Sequence, residues 1–188
     1  MTESQLQDEY SHLILPRFAE AEALMLGITL LRLAEENALA VVIDIRTADR
    51  TLFHAALPGA APNNANWARR KSNTALMFQM PSLLVGERHR PKGETLERSG
   101  LSQSDYSDHG GAVPIRVAGC GVVAVATVSG LPSRDDHALV VTGIRMLTRF
   151  ATFDVESARM GGTADVNGNP LPTPHTTADF IRAVTPTG

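Results

Sequence analysis

Apolar residues recur every three or four positions between residues 17 and 37, and this is the period of an amphipathic helix. Asn37 supplies a stop signal at its end. Gly27, in the middle of the helix, costs roughly 1 kcal/mol relative to alanine, so we expect a neighbour to pack closely there. Two β-rich runs, residues 40–46 and 51–57, then surround a short polar joint. This part of the chain therefore predicts a helix followed by a β-hairpin.

A second helix is predicted over residues 65–80, after a loop rich in proline, glycine and asparagine. Asn63 or Asn64 is placed to cap it, because a side-chain oxygen there can accept a backbone N–H bond. A proline interrupts the pattern, and Ser82 is the candidate cap of a shorter helix that follows. We therefore expect two consecutive helices in the middle of the chain.

The pattern changes again after a polar, loop-like stretch at residues 91–111. Two β-rich runs, residues 113–117 and 122–129, flank a short glycine-containing turn and predict a second hairpin. Ser133 begins a capping-box pattern that opens a last helix over residues 134–151. The chain thus ends its regular structure with a hairpin and a helix.

The predicted order is helix, hairpin, helix, long loop, hairpin and helix. Hairpins imply antiparallel pairing, because parallel strands need a crossover between each pair. The predicted fold class is therefore α/β of the α+β type, an antiparallel sheet of four or five strands flanked by helices. Alternating β-α-β units and glycine-rich phosphate loops do not occur in the sequence, so it does not predict a nucleotide-binding fold of that kind.

The composition limits the classes of function. The 188 residues are 43% hydrophobic and carry a formal net charge of −3, which suits one folded domain and gives no general attraction to nucleic acid. The apolar runs are too short to cross a membrane, and the polar start of the chain does not resemble a secretory signal, so we expect a cytoplasmic protein. A single cysteine, Cys120, excludes an intrachain disulfide and a multi-cysteine zinc site.

Three segments carry candidate chemistry, and the first is the start of the second helix. Trp67 and Lys71 are four residues apart and so share one helix face, with Arg70 beside them. A flat ring next to an ammonium and a guanidinium group suits a planar anionic ligand. The alternative is that Trp67 packs on the sheet and the lysine stem covers it.

The second segment leads into the third predicted strand. Gly110 and Gly111 allow another chain or a ligand to approach the backbone closely. His109 precedes them at a loop-to-strand boundary, where functional residues tend to collect. The alternative is a turn or bulge that only starts the strand.

The third segment, residues 129–137, joins the last strand to the last helix and includes Ser129, Asp136 and His137. Free N–H groups and the helix dipole favour an anion at such a start. The same dipole favours neutral His137, the form that binds a metal ion, and Asp135 or Asp136 is placed to orient it. The alternative is a well-capped helix whose histidine bonds locally.

In order, these residues resemble a known family. The pattern runs from the Trp67-x-x-x-Lys71 spacing, through Gly110-Gly111-x-x-Pro114, to the Ser129-Gly130-Leu131-Pro132 turn and Asp136-His137. The set is similar to the heme-degrading, HbpS- and GlcG-like family, in its branch of small cytosolic proteins. The resemblance covers residues 15–151, preceded by a polar segment at residues 1–14. It implies a profilin-like sandwich, which agrees with the element order.

The resemblance also implies a function and partners. It implies a homo-oligomer built from dimers that binds a small molecule, with heme or an iron ion as the possible cofactor and heme degradation as the possible activity. The implied cofactor-binding residues are Trp67, Arg70, Lys71, His109, Gly110, Gly111, Ser129, Asp136 and His137, with His109 or His137 approaching the iron. The alternatives are an assembly or adaptor protein without a cofactor, and an enzyme acting on a small carboxylic acid, for which the sequence shows no nucleophile–base pair.

The last segment, residues 152–188, has no counterpart in the family pattern. It is rich in proline, glycine and threonine, a composition that does not favour long regular structure. We predict either an extended tail that lies over a neighbouring subunit or a disordered one.

Overall fold

The computed structural model describes residues 1–160, with the side chains of residues 1–149. Five helices and five strands make up this part of the chain. The helices are α1 (Glu3–Ser11), α2 (Glu20–Glu36), α3 (Asn63–Phe78), α4 (Ser82–His89) and α5 (Ser133–Met160). The strands are β1 (Ile14–Leu15), β2 (Val42–Arg46), β3 (Thr51–Ala56), β4 (Ala112–Val117) and β5 (Gly121–Ser129). Two short 3-10 turns lie between α4 and β4, at Arg90–Lys92 and Leu96–Ser99.

The strands form one sheet in the order β1-β4-β5-β2-β3. Both predicted hairpins are present, β2 with β3 and β4 with β5, and β2 pairs antiparallel with β5 to join them. The short edge strand β1 pairs parallel with β4, so the expectation of a wholly antiparallel sheet is wrong at this edge. The predicted α/β sandwich of four or five strands flanked by helices is confirmed.

One face of the sheet carries the main apolar core. Alternate residues of the strands point to this face, as the two-residue period of a strand requires. The buried contributors from the sheet and from the covering helices α2 and α5 include Leu26, Leu30, Ile43, Ile45, Ile115, Ala126, Ile144 and Leu147. Gly27 meets a neighbour as expected, since a Cβ atom there would collide with the Phe53 ring. This face of the sandwich therefore holds most of the apolar surface that the fold buries.

The opposite face of the sheet is covered by α3 and is built from small and polar residues. Ala75 of α3 packs on Ala112 and Val125. Ser72 and Thr127 are both buried and lie 2.8 Å apart between their hydroxyl oxygens. Small side chains let the helix lie close to the strands, and hydrogen bonding satisfies the buried hydroxyl groups.

The helix caps differ from the prediction. Residue Pro62 is the N-cap of α3, and neither Asn63 nor Asn64 acts as a side-chain cap. Ser82 lies inside α4 rather than capping it, and its hydroxyl oxygen accepts a bond from the backbone N–H of Ala112 at 3.1 Å. Ser82 therefore ties α4 to the start of β4.

The N-terminal residues contain structure that the polar pattern did not predict. Helix α1 begins with a capping box in which Thr2 accepts from the Gln5 backbone and the Gln5 side chain accepts from Thr2. Only Leu6 and Tyr10 of this helix are buried. Two apolar anchors four residues apart are too few to give a clear periodic signal, and this is why the sequence did not reveal the helix.

Helix α5 continues to Met160, past the end predicted at residue 151. The rest of the proposed tail, residues 161–188, lies outside the described residues, and so does any contact it makes with a neighbouring subunit. Among the described helices, none is both long and apolar enough to cross a membrane.

Candidate functional site

The centre of the site is a buried ion pair between α3 and the first turn of α5. The Lys71 ammonium group donates to Asp136 Oδ2 at 2.7 Å and to the carbonyl oxygen of Val128 at 3.3 Å. Lys71 is 3% exposed and Asp136 is fully buried. The pair therefore links the helix on the polar face of the sheet to the helix on the apolar face, across the end of β5.

The neighbouring turn is shaped around this pair. The backbone N–H of Leu131 donates to Asp136 Oδ1 at 3.0 Å, so both oxygens of the carboxylate are engaged. Gly111 has a φ of +127°, and a Cβ atom there would lie 2.9 Å from Lys71 Nζ. Glycine is needed at this position both for its backbone conformation and to leave room for the ion pair.

Burial shifts the pKa values of Lys71 and Asp136 in opposite directions. Desolvation lowers the pKa of Lys71, and the Asp136 carboxylate only partly offsets this. Desolvation raises the pKa of Asp136, against the attraction of Lys71 and the bonds from the Leu131 and Gly130 backbone. Both pKa shifts favour the neutral forms. Transfer of the proton from Lys71 to Asp136 is therefore less unfavourable than in a solvent-exposed pair.

A second group of side chains surrounds Trp67, which lies one turn before Lys71 on α3. The Arg70 guanidinium carbon lies 4.3 Å from the centroid of the Trp67 ring. The His109 ring, from the loop before β4, is tilted against the same indole at 5.2 Å between centroids. His109 Nδ1 is 3.4 Å from Ser133 Oγ at the start of α5. An aromatic face, a guanidinium and an imidazole are therefore gathered at one place.

Two clefts meet at the Trp67–His109 pair. The first, which we call the Lys71 cleft, has a volume of about 210 Å³. Its lining residues are Asn64, Trp67, Lys71, His109, Ser129, Gly130, Leu131, Ser133 and Asp136. The second, the Arg70 cleft, has a volume of about 230 Å³ and is bordered by Arg70, Tyr106 and three carboxylate residues, Glu94, Glu97 and Asp108. The Lys71 cleft has one balanced charge pair, whereas the Arg70 cleft has an excess of acidic side chains.

Most of the residues selected from the sequence come together at these clefts. Trp67, Lys71, His109, Ser129 and Asp136 line the Lys71 cleft, and Arg70 lines its neighbour. The prediction did not include Asn64, Leu131 and Ser133 among the binding residues. Leu131 and Ser133 could have been found from their position at the start of a helix, where polar groups and free N–H groups collect.

The two predicted glycines serve packing between segments of the chain. A Cβ atom at Gly110 would collide with the backbone of Ser133, and one at Gly111 with the carbonyl of Val128. The predicted close approach therefore occurs, and the approaching groups are the start of α5 and the end of β5. This contact positions His109, the preceding residue, in the lining of the Lys71 cleft.

His137 is not brought to the clefts. Its ring is 2% exposed and its Nε2 lies 2.9 Å from Glu9 Oε1, on α1. Asp136 and His137 are adjacent in a helix and point roughly 100° apart, so only one of them can face Lys71. The structure thus separates His137 from His109, and of these two candidate iron ligands only His109 lines the clefts. Within the part of the chain that is described, no group of three or more metal-ligating His, Cys, Asp or Glu side chains is found.

Comparison with known proteins identifies the family. The model for the Haem degrading protein HbpS-like family matches residues 18–145. A UPF0303 protein of Streptomyces coelicolor is 45% identical over 144 residues, covering 76% of this chain and 91% of its own length. One from Burkholderia thailandensis is 47% identical over 133 residues, covering 70% and 81%. The chain therefore belongs to the HbpS-like family.

Solved structures agree with this fold. The Ybr137w protein superposes with a TM-score of 0.72 at 29% identity, covering 79% of this chain and 88% of its own. A double mutant of Streptomyces reticuli HbpS gives 0.59 at 22% identity, covering 70% and 87%. The PduOC:heme complex gives 0.59 at 20% identity, covering 68% and 93%. The last two similarities establish a shared fold.

Proposed function

We propose that this HbpS-like protein binds a small planar anionic molecule at the Trp67–His109 pair, with heme as the first candidate. The observation that carries the proposal is the grouping of an indole, a guanidinium and an imidazole where two clefts meet. An indole face supports a flat ligand by stacking, and a guanidinium binds carboxylate groups in a bidentate manner. The PduOC:heme complex, which shares the fold, supports heme as the ligand to test.

Two observations indicate which residues would hold heme. His109 is exposed, and among residues 1–149 its Nε2 has no hydrogen-bond partner, so this nitrogen is available to iron. Arg70 lines the neighbouring cleft, where its guanidinium group lies against the Trp67 ring. Bound heme would supply iron and oxygen chemistry, and the protein would supply orientation.

Lys71 has a different part in this proposal. Its charge is balanced by Asp136, so it does not offer a free cation to a heme carboxylate. The start of α5 and the Ser133 hydroxyl are the remaining groups of the Lys71 cleft that favour an anion. We therefore assign carboxylate binding first to this helix start and second to Arg70, which must bind it against the repulsion of the three acidic side chains of its own cleft. We assign Lys71 and Asp136 to the floor of the Lys71 cleft.

The volume of the clefts limits the size of the ligand that each can enclose. Each is smaller than the roughly 300–1,000 Å³ of typical sites for drug-sized ligands. A molecule as large as heme would therefore extend over both clefts. We propose that a second subunit of a homo-oligomer built from dimers covers the rest of the ligand.

The test is a titration of the purified protein with hemin, followed in the Soret band. We expect a saturable shift for the wild type and for His12→Ala, a matched control whose exposed histidine ends α1 and lines neither cleft. His109→Ala should shift the band position and weaken binding at least about tenfold, the loss of about 1.4 kcal/mol. A linear, non-saturating response, or equal behaviour of both variants, would refute the proposal.

A further inference from the structure

We propose that Lys71 is a reactive amine that forms an imine with a small aldehyde or ketone bound in the Lys71 cleft. This inference uses the cleft of the proposed function but needs neither heme nor His109. It starts from a buried ion pair, with Lys71 3% and Asp136 0% exposed, whose two residues are among those that line a cavity. A molecule bound in that cavity therefore lies next to both residues.

The hydrogen bonds of Lys71 leave part of the amine free. A lysine ammonium has three N–H donors, and among the described residues Lys71 uses two, towards Val128 and Asp136. When the proton has passed to Asp136, the new Asp136 O–H group donates to the Nζ lone pair across the same 2.7 Å contact. Because Lys71 and Asp136 both line the cleft, a carbonyl oxygen bound there can take this O–H bond in place of Nζ, and the lone pair is then free.

The environment favours the neutral amine. Burial lowers the pKa of Lys71 and raises that of Asp136, so a proton on the lysine can pass to a carboxylate 2.7 Å away. Desolvated lysines of this kind are the ones that proteins use for Schiff bases. The geometry thus supplies a nucleophile and an acid at hydrogen-bond distance from each other.

The shape of the cleft limits the substrate to small molecules. Its volume of about 210 Å³ is below that of ordinary ligand sites. Trp67 and Leu131 provide apolar walls, and Asn64 and Ser133 provide hydrogen-bonding groups. A short carbonyl compound fits this mixture, because its carbon chain contacts the walls and its oxygen accepts a hydrogen bond.

The step balances without an external reagent. The lone pair of Lys71 Nζ attacks the carbonyl carbon, and the carbonyl oxygen takes the proton held by Asp136, which gives a carbinolamine hydroxyl. The Asp136 carboxylate then removes the second N–H proton and returns it to the hydroxyl as the C–O bond breaks. One water molecule leaves, a C=N bond replaces the C=O bond, and no atom is oxidised or reduced.

The chain offers a clean test because it has only two lysines, Lys71 and Lys92. Lys92 is exposed on the 3-10 turn Arg90–Lys92 and serves as an internal control. The full-length protein is treated briefly with acetaldehyde and cyanoborohydride, which reduces imines to stable ethyl-amines. Peptide mass mapping then gives the labelling rate at each lysine and at the N-terminus.

We expect Lys71 to be labelled faster than Lys92, because burial lowers the pKa of Lys71 and so leaves more of it as the neutral amine. Lys71→Arg should abolish this fast labelling, and Lys92→Arg should leave it intact. Labelling of Lys71 that is no faster than that of Lys92, or that appears only in urea, would overturn the inference.

The two proposals fail in different ways. His109→Ala should weaken hemin binding and keep fast labelling at Lys71, and Lys92→Arg should keep both. A protein that binds hemin but shows no selective labelling refutes the reactive lysine alone. Selective labelling without hemin binding refutes the heme proposal alone.

Discussion

The two faces of the sheet are built by different rules. The face covered by α2 and α5 is a continuous apolar cluster, and the face covered by α3 buries hydroxyl, carboxylate and ammonium groups. The apolar face is stabilised by burial of apolar surface, and this stabilisation does not depend on the exact geometry of each contact. The polar face depends on each buried group finding its own partner. The clefts open only beside the second kind of face.

The buried carboxylate of β2 shows the same rule away from the clefts. Asp44 faces the polar side of the sheet, where Arg46 donates to it at 3.0 Å and the His54 ring lies 2.8 Å away. Thr127 of β5 is its neighbour in the sheet and is bonded in turn to Ser72. Polar groups on this face therefore occur in bonded sets, and the loss of one member leaves another without its partner.

The largest effect is expected from breaking the buried ion pair. Asp136→Ala should lower the free energy of unfolding by about 3–5 kcal/mol, because it leaves the Lys71 ammonium group buried without a counter-charge. Urea denaturation of the variant and the wild type measures this difference. A loss below about 1 kcal/mol, the range of exposed pairs, would show that the pair is solvated in solution.

The matched control replaces both members of the pair. The double variant Lys71→Met and Asp136→Leu removes both charges and keeps apolar volume in their place. Replacing a buried pair in this way is often close to neutral for stability, so the double variant should be more stable than Asp136→Ala. If it is equally unstable, the cost comes from packing rather than from charge.

A cavity in the apolar face is expected to cost less on average. Leu30→Ala should destabilise the protein by about 2–5 kcal/mol, since Leu30 is fully buried between α2 and α5. Leu24→Ala, on the exposed side of the same helix, is the control and should change stability by less than about 0.5 kcal/mol. Leu30→Ala should leave hemin binding unchanged at 25 °C, and a loss of binding by the folded variant would contradict the division of the two faces.

The fold was predictable where one face of an element is apolar. Helix α2 and both hairpins follow from periodicity, because their buried residues are closely spaced along the chain. Strand β1 was not predictable, since it has two residues and only Leu15 of them is buried. Its parallel pairing with β4 depends on tertiary contacts that no local pattern contains.

The site was predictable as a set of segments but not as a set of contacts. Lys71 and Asp136 are 65 residues apart, and nothing in either local sequence shows that they pair. The helix start at α5 was recognised, but the direction of each side chain in its first turn depends on which residue faces α3. Asp136 takes that direction, so His137 turns towards α1.

The smallest effect on stability is expected from the contact between His137, in the first turn of α5, and Glu9 of α1. Glu9 accepts from His137 and Arg145, and the His137 hydrogen bond is the main reason that the pKa of Glu9 lies below its usual value of 4.5. When the pKa of a carboxyl group is lower in the folded protein than in the unfolded chain, the group stabilises the fold. This contribution is fully present at pH values above the pKa of the unfolded chain. That contribution is lost as the pH falls from about 4.5 through the lower folded value.

Glu9→Gln keeps an oxygen that can accept from His137 but removes the titration. The urea midpoint of the wild type should therefore fall more steeply than that of Glu9→Gln as the pH drops below about 4.5. Glu36→Gln, which changes an exposed carboxylate at the end of α2, measures the effect of removing one charge alone. Because Glu9 lies on α1 and away from Lys71, the variant should leave hemin binding and lysine labelling unchanged at neutral pH. Equal slopes for the wild type and Glu9→Gln would show that α1 is held by Leu6 and Tyr10 without help from this carboxylate.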